Sequence, residues 1–202
     1  MNQDQILHEQ IEPLLDYFQN LIPLNLEEKA LVFDFFKPRL YRKRQYILQE
    51  GNTCDHLNYI IEGCLRMYKI DEEGNTHIIQ FSSENGWLCD IGSFHERVPS
   101  SLTIDALEDT RVLQISYSNL VSLYVKAPKF DRIFRVLMEN SFVSLQKRLL
   151  QYISSSAEDR YLAFMASHSH LANRIPQTQI ASFLGITPEF LSRLKNKQTK
   201  KR

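Results

Sequence analysis

Apolar positions at Ile6, Leu7, Ile11, Leu14, Leu15 and Phe18 recur every three or four residues and predict an N-terminal helix over 6–18. A second short helix over 26–36 is predicted to end ahead of Pro38, because the residue before a proline is steered away from helical backbone. From residue 40 the rhythm changes. YRKRQYILQ, LNYIIE, CLRMYKI and HIIQFSS are period-two runs or short apolar bursts, and Gly51, Gly63, Gly74 and Gly86 cut them every 11 or 12 residues. Turn signals at that spacing predict an antiparallel β-roll over roughly 40–117, with DEEGN (71–75) as its clearest hairpin and SLTIDA and RVLQIS as two further strands. Beyond Ser118 the helical rhythm returns. Pro128 suits a first turn, and Ile133, Phe134, Leu137, Ser141, Leu145, Arg148, Leu149 and Tyr152 predict one long helix. Such a helix is too long for one small domain to cover, so the stripe Ile133, Leu137, Ser141, Leu145, Leu149 and Tyr152 is the expected seam of a homodimer. Ser156, with Asp159 at the third helical position, predicts a capped restart.

Three segments follow: a β-roll domain with flanking helices over 1–125, a linking and dimerising helix over 126–154, and a helical domain over 155–202. Composition sharpens that division. The formal net charge of zero conceals −9 over residues 1–120 and +9 over residues 121–202, so the second part is suited to a polyanion. Cys54, Cys64 and Cys89 form no CxxC pair, and a sparse, odd set fits a reducing compartment. No signal-peptide pattern and no apolar run of membrane-spanning length occurs, so a soluble cytoplasmic chain with no membrane partner is expected. His56, His77, His95 and Glu96 in a β-roll suggest a metalloenzyme, but they lack the paired-histidine spacing such a site needs. Nor is there a nucleophile elbow for hydrolysis. The expectation is no enzyme, no metal and no cofactor.

The densest pattern is QTQIASFLGITPEFLSRLKN, residues 177–196. Ile180, Ala181, Phe183 and Leu184 make the apolar face of a short helix, Gly185 permits a tight turn, and Ile186 fills the gap behind it. Thr187 caps a second helix whose first turn holds Pro188 and Glu189. With Phe190, Leu191 and Leu194 facing inward, Glu189, Ser192, Arg193, Asn196 and Lys197 face outward. A helix-turn-helix of this kind lays its second helix in a DNA major groove, where arginine forks onto guanine and glutamate accepts from cytosine. Gln177 and Thr178, opening the first helix, are placed for phosphate oxygens.

A β-roll, a long helix and a C-terminal helix-turn-helix in that order resemble the Crp/Fnr transcription factors, through YILQEG (46–51), LNYIIEGCLRMY (57–68), the stretch 88–106 and IASFLGITPEFLSRLK (180–195). The resemblance implies an α+β chain: an antiparallel jelly-roll of the cyclic-nucleotide-binding type, a dimerisation helix and a DNA-binding helix-turn-helix. It implies operator DNA, a second copy and RNA polymerase as partners, and a small-molecule effector in some members. Family members that bind cyclic AMP carry Gly-Glu and, ten positions on, Arg-Ser. Here Cys89-Asp90 and Ser100-Ser101 stand in those places, so the phosphate-pairing arginine is missing and the pocket is expected to be degenerate. Arg97 replaces it only if the loop is rebuilt. Of the positions that contact bases in the family, Pro188 cannot donate, leaving Glu189 and Arg193. The β-hairpin wing that usually follows the recognition helix is not expected, with Lys195, Lys197, Lys200, Lys201 and Arg202 supplying backbone contacts in its place, and the cysteine cluster of the iron–sulfur branch is not present. The alternative reading is a cyclic-nucleotide-binding-like module that acts through protein partners instead of DNA.

Overall fold

The structure, a computed structural model, describes residues 3–199. Helices α1 (Gln3–Leu21) and α2 (Leu26–Phe35) precede eight strands: β1 (Lys37–Tyr41), β2 (Tyr46–Leu48), β3 (His56–Glu62), β4 (Cys64–Ile70), β5 (Thr76–Ser83), β6 (Trp87–Leu88), β7 (Thr103–Ala106) and β8 (Thr110–Ser116). They form two four-stranded antiparallel sheets, ordered β1-β8-β3-β6 and β2-β7-β4-β5. Between β6 and β7 lies a short helix, α3 (Ile91–Glu96), and after β8 come α4 (Tyr117–Lys126) and the long α5 (Lys129–Ser154). The chain ends in α6 (Ala157–Ser167), a single 3-10 turn at Ser169–Leu171, α7 (Gln177–Leu184) and α8 (Pro188–Thr199).

Local chemistry explains several boundaries. Asn25 caps α2 and forms a reciprocal capping box with Glu28, and Ser156 does the same with Asp159 at α6. Within the run 41–49, β1 ends at Tyr41 and β2 holds only Tyr46–Leu48, in the other sheet. Arg44, at φ 68°, turns the chain between them. Pro38 lies in β1, an edge strand, where a missing N–H costs no ladder bond. α3 was not anticipated by the pattern, which reads 88–106 as loop and strand, and α4 falls where the helical rhythm returns but was not marked off from the long helix.

Two apolar cores organise the molecule. The first fills the roll and seals α1, α2 and the start of α5 against it. Trp87 is its hub, with ring centroids 5.1 Å from Tyr59, 5.6 Å from Phe134 and 6.0 Å from Phe18. The second lies on the outer face of β4 and β5, where Cys64, Tyr68, Ile78 and Phe81 meet Phe164, Ile180, Phe183 and Leu184 of the helical domain. A bulge makes this possible. Met67 pairs with Gln80 and Tyr68 with Ile78, so Ile79 is the extra residue that brings Ile78 and Phe81 to one face.

Candidate nucleic-acid interface and ligand loop

Gly185 takes left-handed backbone, φ 65° and ψ 40°, and reverses the chain between α7 and α8. A Cβ there would meet the Tyr152 ring at 3.1 Å. Thr187 accepts from the Phe190 N–H at 3.2 Å and so caps α8. Leu191 and Leu194 are buried beneath the helix, while Gln177, Thr178, Thr187, Glu189, Ser192, Arg193, Asn196 and Lys197 are all exposed. Phe190, expected to face inward, is 37% exposed and carries the Arg193 guanidinium 5.3 Å from its ring centre. Two of the expected cationic contacts are engaged within the chain. Lys197 pairs with Glu158 at 2.8 Å, and Lys195 donates to Gln177 at 3.0 Å. Lys200, Lys201 and Arg202 lie outside the described residues.

The helix-turn-helix docks on the roll of its own chain. The Ser182 hydroxyl donates to the Thr76 carbonyl at 2.6 Å and accepts from the Ile78 N–H at 3.1 Å, so α7 occupies the free edge of β5. Arg174, in the turn before α7, grips both Glu84 (Nη1 to Oε2, 2.9 Å) and Glu108. Glu84 also accepts from the Gly63 N–H at 2.9 Å. The Arg174 guanidinium holds the Glu84 carboxyl down to about 2. Arg148 of α5 donates to the carbonyl of the bulged Ile79.

In the stretch 88–106 the structure joins Asp90 and Ser100 directly. Asp90 caps α3, one carboxylate oxygen accepting from the Gly92 and Ser93 N–H groups and the other accepting from the buried Ser100 hydroxyl at 2.6 Å. Ser101 is exposed and Cys89 half-buried. Arg97 does not enter this site. Its guanidinium pairs with Asp55, donates to the Cys54 carbonyl at 2.9 Å and lies over Tyr117 of α4. His56, His77 and His95 share no cluster. His77 instead bonds Asp71 at 2.7 Å, and among the described residues no group of three or more His, Cys, Asp or Glu is placed to hold a metal ion.

Two residues of the expected dimer stripe are not available to a second copy. Ile133 and Leu137 are buried in the first core of their own chain, because the start of α5 packs on the roll. Tyr152 bonds the Phe183 carbonyl and braces the Gly185 turn. Met138, Phe142, Leu145, Leu149 and Ile153 line one solvent-facing stripe, with Phe142 at 66% and Ile153 at 76% exposure, Ser141 is exposed beside them, and Val143, Leu150 and Tyr152 are exposed apolar residues off that stripe. Alternating steps of four and three from Met138 to Leu149 are the spacing of a coiled-coil seam.

Comparison with known proteins places these features. Residues 38–127 match the cyclic nucleotide-binding domain family. Electron transport regulator A of Shewanella oneidensis is 29% identical over 167 residues, 76% of this chain and 65% of that protein. The anaerobic regulatory protein of Pasteurella multocida is 28% identical over 192 residues, 87% of this chain and 69% of the relative. Among solved structures, FixK2 from Bradyrhizobium japonicum superposes with a TM-score of 0.73 at 18% identity, covering 82% of this chain and 85% of that one. A regulator assigned to the crp/fnr family from Eubacterium rectale gives a TM-score of 0.69 at 20% identity, covering 92% and 88%. The chain carries a cyclic nucleotide-binding domain and shares the fold of these regulators. It spans 65% of the length of the first of these relatives. No described helix is long and apolar enough to cross a membrane.

Proposed function

We propose that this chain is a sequence-specific DNA-binding transcription regulator of the Crp/Fnr type that works in the cytoplasm, is not an enzyme, and acts as a homodimer. The observation that carries the reading is the α8 surface. Glu189, Ser192, Arg193 and Asn196 face solvent above the buried Leu191 and Leu194, in a part of the chain that bears net +6 over residues 171–202. Gln177 and Thr178 stand at the opening of α7, where phosphate oxygens meet free N–H groups. Phosphate contact by Lys197 requires its release from Glu158.

The second copy is set against Met138, Phe142, Leu145 and Leu149. Each such side chain withdrawn from water contributes about 1.5–3 kcal/mol before the costs of association. Dimerisation supplies two recognition helices for half-sites about one helical turn apart. RNA polymerase is the further partner that transcription control requires.

The pocket is degenerate toward cyclic nucleotides. A cyclic phosphate brought to the start of α3 meets the Asp90 carboxylate and the Ser100 hydroxyl where a cation is needed, and an anion left unpaired there costs several kcal/mol, on the order of the loss for any uncompensated buried charge. Selection of bound DNA from a randomised duplex pool tests the reading. Enrichment of a two-fold symmetric sequence supports it. Recovery of no preferred sequence, with retention of a protein partner, supports the alternative module instead.

A further inference from the structure

Phe190 stands in the first turn of α8, where its N–H donates to the capping Thr187 hydroxyl at 3.2 Å. Leu191 and Leu194 beside it are buried, yet the Phe190 ring is 37% exposed. The helical repeat explains the difference. At about 100° per residue, Phe190 lies about 60° around the axis from Arg193 and about 20° from Lys197, on the rim between the buried leucines and the polar face. The Arg193 guanidinium lies over the ring, 5.3 Å from its centre, so ring and cation are presented to solvent as one unit. Among the described residues the guanidinium N–H groups make no hydrogen bond, which leaves the fork free to donate.

We propose that Phe190 is a specificity-determining residue of α8, reading the 5-methyl group of a thymine next to the guanine that Arg193 contacts. The inference rests on the DNA-binding reading of α8 and adds a second recognised base to it. Side chains in the first turns of a recognition helix are the ones that meet base edges. Among the groups those edges present in the major groove, the thymine methyl is the apolar one, and an aromatic ring matches it. The two contacts fall on neighbouring base pairs. An arginine forked onto guanine O6 and N7 lies at the level of that pair, and successive pairs are about 3.4 Å apart. A ring centred 5.3 Å from the guanidinium therefore stands at the level of the adjoining pair. A phenylalanine here offers no hydrogen bond to a phosphate or to a polar base edge, so an apolar group is what its exposed surface can recognise.

The test takes the duplex that the full chain selects from a randomised pool and replaces each thymine of a half-site singly by uracil. That change removes the 5-methyl group and keeps every hydrogen-bonding group of the base. Fluorescence anisotropy measures the affinity of each duplex. Uracil at one thymine, adjoining the guanine whose preference Arg193→Ala relaxes, is expected to weaken binding about four-fold, the equivalent of about 0.8 kcal/mol for one methyl withdrawn from water. In Phe190→Ala the thymine and uracil duplexes are expected to bind alike, and in Phe190→Leu, which keeps an apolar side chain, most of the difference should remain. Phe190→Gln replaces the alanine variant if circular dichroism shows that variant unfolded. Equal affinity of the native chain for thymine and uracil duplexes overturns the proposal while leaving the guanine contact of Arg193, and with it the DNA reading, in place. A uracil effect undiminished in Phe190→Ala also overturns it, because another side chain then meets the methyl. Recovery of no preferred sequence from the pool ends the DNA reading and this inference together.

Discussion

The Asp90 carboxylate is fully engaged by the chain itself, one oxygen on the first turn of α3 and the other on Ser100. Cyclic AMP or cyclic GMP at millimolar concentration is therefore expected to leave the melting temperature unchanged, whereas a ligand at a hundred times its dissociation constant adds about 2.7 kcal/mol. Thermal denaturation with and without nucleotide decides this, and a rise of several degrees rules it out. That Ser100 stands ten residues after Asp90, where cyclic AMP-binding Crp/Fnr members carry an arginine, came from the resemblance alone. The Asp90–Ser100 bond and the tie of Arg97 to Asp55 and Cys54 were not, because each joins residues that only the folded roll brings together. On α8, Arg193→Ala is expected to cost about 1–3 kcal/mol at one base pair per half-site and to relax the preference there. Competition binding with single-base operator variants measures it. Unchanged affinity and sequence preference would remove α8 from DNA recognition.

At the scale of elements, α5 changes character along its length. Its first turns belong to the roll, and from Met138 onward nearly every position is exposed. Periodicity reported the helix and its restart at Ser156 but could not tell which of two apolar stripes faces its own chain. Ile133 and Leu137 continue the spacing of Leu145 and Leu149 yet point to the opposite environment. Substitutions separate the two. Leu145→Glu or Leu149→Glu is expected to turn a dimer of twice 23.8 kDa into a monomer in sedimentation equilibrium, with little loss of monomer stability. Ile133→Ala is expected to lower stability by about 2–5 kcal/mol in denaturant unfolding and to leave self-association intact once folded. The reverse pattern would place the seam where the bare periodicity put it. α3 escaped the pattern for another reason: it is six residues long, with its apolar residues divided between core and solvent. Short helices of this kind are held by caps and packing more than by propensity.

Across the whole molecule, the charge asymmetry was legible and its counterpart was only half so. The basic half suits a polyanion, yet Arg174 answers to Glu84 and Glu108 of the acidic half, fastening the helix-turn-helix to the roll. Arg174→Ala is expected to lower stability by about 1–2 kcal/mol and to speed proteolysis between α6 and α7. Because Glu84 is depressed from 4.5 to about 2, the stabilisation it gives is complete above its ordinary range and is lost as pH falls through about 2. Stability of the native chain should therefore drop more steeply over this window than that of Arg174→Ala, as equilibrium unfolding at a series of pH values will show. Equal slopes would mean that the clamp contributes nothing. The two-faced burial of β4 and β5 also governs how the chain can be divided. Cutting it after α5 would bare Cys64, Tyr68, Ile78 and Phe81 and strip the Ser182 hydroxyl from the rim of β5, leaving an unpaired strand beside a greasy face. A roll so isolated is expected to stick to its own kind, strand to strand, and light scattering should rise with its concentration where the full chain's does not.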